Sequence, residues 1–150
     1  MRSFLVSVIT VFFVVLSVNA QAQDYNYAVG LSLGGNVGVN VKAKLSQSSA
    51  VEAGLDYTMA HEAVNLYAVW QYHLELVTGL YGYVGAGLNV GGSGCDHDKS
   101  NFNFGLDPNL GIEYKFARAP IALGLDYRPS INLIGCSLYS NSSLKIRYTF

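Results

Sequence analysis

Residues 144–150 read L-K-I-R-Y-T-F, and this stretch decides the fold. In an extended backbone successive side chains point to opposite faces, so Leu144, Ile146, Tyr148 and Phe150 share one side while Lys145, Arg147 and Thr149 share the other. One face is oily and the other is charged. The question raised is what the oily face meets.

Working outward, the same alternation recurs between turn signals along the chain. It predicts strands over 25–33, 37–45, 50–59, 63–73, 79–90, 102–116, 121–128 and 144–150. Val37, Val39 and Val41 oppose Asn40 and Lys42; Val51, Leu55 and Tyr57 oppose Glu52 and Asp56. Val64, Leu66 and Trp70 oppose Asn65, Tyr67 and Gln71, and Leu123, Leu125 and Tyr127 oppose Gly124, Asp126 and Arg128. Pro108 falls on the apolar parity and is expected to mark a bulge or a strand break. Apolar residues make up 51% of the sequence, with 11 Tyr, 16 Gly and only three Pro, which is strand composition.

At the other end, Arg2 and an apolar run from Phe4 to Val18 precede small residues, the pattern of a secretory signal peptide. Cleavage after Ala20 or Ala22 would start the mature chain at Gln21 or Gln23; with 1–22 taken as the signal, residues 23–150 form one domain. Beyond that run no apolar stretch approaches the ~20 residues of a membrane helix, so a bilayer would have to be crossed by strands. The mature chain keeps eight Lys or Arg against ten Asp or Glu, which excludes a basic face for nucleic acid.

Nearly all strand charges share the polar parity: Lys42, Lys44, Glu52, Asp56, Asp107, Glu113, Lys115, Asp126, Arg128, Lys145 and Arg147. Most strand glycines share it too, as the crowded inner wall of a narrow eight-stranded cylinder would require. Alternation alone does not separate a barrel with an oily outside from a soluble, lipocalin-like barrel with an oily inside. Glycine on the charged face, near-balanced charges, and aromatics near strand ends favour the oily outside. Tyr57, Phe102 and Tyr127 are expected at one rim, and Tyr25, Tyr72, Tyr114, Tyr148 and Phe150 at the other. The turns at 46–49, 74–78 and 117–120 are short and read as periplasmic, whereas 91–101 and 129–141 read as long external loops.

With that pattern the chain resembles the small eight-stranded outer-membrane barrels of Gram-negative bacteria, the type found in the OmpA transmembrane domain and in OmpX. The resemblance covers the mature chain and is most specific in its last strand. There Leu144, Ile146, Tyr148 and Phe150 match the signal read by the barrel-assembly machinery in that family. It implies an all-β, eight-stranded antiparallel transmembrane β-barrel, monomeric, in contact with outer-membrane lipid and located in the bacterial outer membrane. A very short first external loop, 34–36, and the lack of a peptidoglycan-binding domain depart from it.

Cys95 and Cys136, the only cysteines, each fall in one of the two long loops. After export through an oxidising compartment they are expected to form a disulfide between neighbouring loops. Cys95-Asp96-His97-Asp98 carries metal-ligand types, yet that disulfide would remove its thiolate, so no metal or other cofactor is expected. The interior charges are expected to pair and plug the lumen, with Arg128, Lys145 and Arg147 taking Asp126, Glu113, Asp107 or Asp56 as partners. His61, His73 and His97 stand at different levels, with no Ser-His-acid grouping, so an enzyme is not expected; a barrel acting on lipid A is the alternative.

Overall fold

A computed structural model of the chain describes residues 26–59, 62–92, 102–134 and 139–150. Eight strands follow one another: β1 Tyr27–Gly34, β2 Asn36–Lys44, β3 Ser49–Thr58, β4 Ala63–Val77, β5 Leu80–Gly92, β6 Phe102–Lys115, β7 Ile121–Ile134 and β8 Tyr139–Thr149. Each pairs antiparallel with its sequence neighbour, and β8 pairs with β1 to close the ring. Residues 1–22, expected to be a signal peptide, lie outside the described residues. Among those described, no helix is long and apolar enough to cross a membrane, which says nothing of strands.

The register fixes the shape. Ala28 lies level with Lys42, and the line continues through Glu52, Val69, Gly87 and Asp107. The neighbouring pair Leu106↔Ile131 puts Asp107 level with Ser130, which pairs with Tyr139 on β8. Ala28 itself pairs with Thr149, ten residues beyond Tyr139. A stagger of that size over eight strands tilts them on the order of 40° to the axis and leaves an interior that side chains fill.

Alternation then sorts every strand. Inward positions carry Asn40, Lys42, Glu52, Asp56, Tyr67, Gln71, Asp107, Glu113, Arg128, Lys145 and Arg147, all buried. Outward positions carry the leucines, the isoleucines and the valines other than the buried Val69, Leu125 being 58% exposed and Val39 49%. The core is therefore ionic and the outer wall apolar, the reverse of a soluble ligand-carrying barrel.

Four sequence expectations need correction. The stretch 129–141 is mostly strand: β7 runs to Ile134 and β8 starts at Tyr139, leaving 135–138 between them. Pro129 and its polar neighbours suggested a loop, but Pro129 pairs with Ser140, and the in-out alternation continues through Ser130 and Ile131. Tyr127 consequently sits midway along β7 and not at a rim. Likewise, residues 74–77 belong to β4, and the turn shrinks to Thr78–Gly79, where Gly79 has φ +85°, a conformation that favours glycine. Pro108 does not break β6, which runs through it.

Candidate functional site: the ionic interior

Strand alternation delivers eleven charged side chains to the inside, and nine of them are buried. Lys44 and Lys115, at the ends of β2 and β6, are half-buried at one mouth. Glu52 on β3 is the hub. It accepts from Lys145 and, at 2.5 Å, from the Arg147 guanidinium. Tyr67 Oη donates to it at 2.9 Å and Gln71 Nε2 at 3.1 Å. Arg147 also holds Glu113, which Lys42 approaches at 3.1 Å, and its Nε donates to Asn40 at 3.1 Å.

Lys145 joins this group to the next by reaching Asp126 at 3.0 Å. Asp126 further accepts from Tyr83 Oη at 2.8 Å and from Asn109 Nδ2 at 2.7 Å. Towards the other end Arg128 pairs with Asp56 and lies 3.4 Å from Asp107. Asn36 donates to Asp56 at 2.6 Å, and Asn89 donates to Asp107. Each buried carboxylate is thus held by at least one cation. Fixed pairs of this kind offset the desolvation that an isolated charge would suffer in a narrow interior.

The expected partners of Arg128, Lys145 and Arg147 were four carboxylates, all of which are used; Glu52, the most heavily bonded, was not among those anticipated partners. Sequence reasoning also missed two tyrosines. Tyr67 lies directly across from Gly54, and a Cβ on Gly54 would come within 2.6 Å of the phenol. Tyr83 lies across from Gly111 in the same way, at 2.5 Å. Each glycine therefore provides the floor on which a ring lies flat and projects its hydroxyl to a carboxylate. Cations cover the rings: Arg128 Cζ is 3.5 Å from the Tyr67 centroid and Lys42 Nζ 4.9 Å from that of Tyr83. The available signal was a tyrosine on the charged parity with glycine on a neighbouring strand, but only the register shows that they meet.

The remaining candidates are placed as follows. Leu144, Ile146, Tyr148 and Phe150 run along the outer side of β8, and Phe150 packs with Tyr148 and with Tyr27 at 6.2 and 6.4 Å between centroids. Tyr114, Phe116, Trp70 and Tyr72 form further outward aromatic pairs. His73 is buried, its ring 5.2 Å from Tyr83. Cys95, Cys136, His61 and His97 lie outside the described residues, as does the 95–98 cluster. Among the described residues no group of three His, Cys, Asp or Glu could hold a metal ion.

No protein-family model matches the chain, and no curated protein matches it. The functional reading therefore rests on the barrel and its interior.

Proposed function

We propose that this chain is an outer-membrane β-barrel protein with a structural or surface-interaction role, its lumen plugged by paired charges and not open as a pore. The observation that carries the reading is the inversion of the barrel: apolar side chains cover the outside while every buried charge is turned in and paired. An outer wall that oily is costly in water and favourable in hydrocarbon. Outward aromatics around Tyr27, Tyr148, Phe150, Tyr114 and Phe116 cluster near the end that holds the short turns, as an interfacial belt would. Among the described residues the inward carboxylates are each tied to a cation, which favours a plugged lumen over a water-filled channel.

In this reading the barrel is a monomer bathed in outer-membrane lipid, exported by its signal peptide and inserted by the barrel-assembly machinery, which reads Leu144, Ile146, Tyr148 and Phe150. Cys95 and Cys136 would tie the external connections together, presenting the surface available to a ligand. No catalytic residue, cofactor or nucleic acid enters the scheme.

Fractionation of cells expressing the full-length chain, followed by planar-bilayer recording of the purified protein, tests it. The expected outcome is recovery with outer membranes, solubility only in detergent, and no stable single-channel current. Recovery from periplasmic fluid without detergent would overturn the membrane reading, and large steady currents the plugged lumen.

A further inference from the structure

The β6–β7 seam is unlike the others. The β3–β4 ladder runs without interruption from Ser49↔Tyr72 to Thr58↔Ala63. Between β6 and β7, however, pairing passes from Leu106↔Ile131 directly to Leu110↔Tyr127. The constant register puts Pro108 opposite Pro129 in that interval. At the foot of the seam Phe116 N–H donates to Ile121 O at 3.1 Å, and stepping by twos from that pair makes 108 and 129 a mutually hydrogen-bonding position. Neither proline has an N–H. Both cross-strand bonds are therefore missing, and the wall has no backbone tie between Leu106 and Leu110 of β6, about 13 Å at the usual rise per residue.

The defect is confined to this one side of each strand. Pro108 still pairs with Ala86 on β5, and Pro129 with Ser140 on β8. Just beyond the gap the register slips between Phe104 and Gly105, so the upper part of the seam is short as well. Inside, side chains reach over the gap instead: Arg128 Nε lies 3.4 Å from Asp107, and Asn109 Nδ2 donates to Asp126 at 2.7 Å. Two of the chain's three prolines thus face each other in a stretch where interior polar groups, and not the backbone ladder, join the strands.

We propose that the β6–β7 seam is the barrel's lateral opening point, a segment held shut by the Arg128–Asp107 and Asn109–Asp126 side-chain contacts in place of the backbone ladder. Opening there parts Leu106–Leu110 from Tyr127–Ile131 while the rest of the ring stays paired. This goes beyond the functional reading above and does not depend on it, since the seam exists in whatever medium holds the barrel.

Hydrogen exchange of the full-length protein in detergent micelles tests the idea. The amides of Leu106, Leu110, Tyr127 and Ile131 are expected to exchange at least about tenfold faster than those of the β3–β4 ladder. Pro108→Ala supplies a donor for the Pro129 carbonyl, and Pro129→Ala does the reverse. Each single change should slow the flanking amides, and the double change should slow them about tenfold or more. Asn109→Ala should speed them, and Pro120→Ala, outside the gap, should leave them alone. Seam amides as protected as those of β3–β4 would overturn the proposal, as would a folded double variant, judged by its strand circular dichroism, whose seam exchanges at the wild-type rate.

Discussion

Arg147→Met should destabilise the barrel by about 3 kcal/mol. Arg147 is fully buried and holds two carboxylates at once, Glu52 and Glu113. Methionine preserves much of the side-chain volume while removing the charge, so packing loss is a minor part of the effect. Breaking a buried pair by deleting one partner costs about 3–5 kcal/mol. Here each orphaned carboxylate retains one cation, Lys145 for Glu52 and Lys42 for Glu113, which places the loss at the lower end. The interior balance nevertheless worsens, because four buried cations already face five buried carboxylates. The native state of a domain this size is worth on the order of 5–15 kcal/mol, so the variant still folds and its midpoint is measurable. Urea unfolding in detergent micelles reads the change, with the single tryptophan, outward-facing Trp70, as the fluorescent reporter. The midpoint should fall with an unchanged slope. Adding Glu113→Gln removes one of the uncompensated charges, so the double variant should lose less than the sum of the two single losses. Lys44→Met at the half-buried mouth should cost less than about 1 kcal/mol. A wild-type midpoint for Arg147→Met, or strict additivity with Glu113→Gln, refutes the argument that these contacts hold the interior together.

Gly54→Ala should cost about 1–3 kcal/mol by the same assay, because its methyl would have to displace the Tyr67 ring; Gly35→Ala, where an added Cβ meets nothing closer than 3.9 Å, should be near neutral by comparison. Tyr67→Phe keeps the ring on Gly54 and loses only the 2.9 Å bond to Glu52, a loss of about 1.5–3 kcal/mol for a hydrogen bond to a buried charge, again read from the denaturation midpoint. Leu123→Lys puts an ammonium on the outer wall and should reduce refolding into lipid vesicles by about 2–4 kcal/mol if it lies near the midplane, with little effect expected from Ser130→Thr inside; equal yields for wild type and Leu123→Lys would count against a lipid-facing wall.

The period-two pattern by itself determined that this is an all-β chain of eight strands with one apolar and one charged face, because side-chain direction in a strand follows from backbone geometry alone. It also assigned all eleven interior charges to one face, since parity is local information. The end of β7 and the start of β8 escaped it for an equally local reason. Proline and a run of small polar residues near 129–141 carry the composition of a loop, and only the neighbours on either side show that Pro129 can sit in a wall by facing its missing donor toward another proline. The tertiary structure alone decided which charges meet. Lys42 and Glu113 are 71 residues apart, Lys145 and Glu52 are 93, and Arg147 and Asn40 are 107. Nothing local relates such positions; the stagger of the closed ring brings them to one level, and that is why Glu52 became the hub and why Gly54 and Gly111 became seats for Tyr67 and Tyr83.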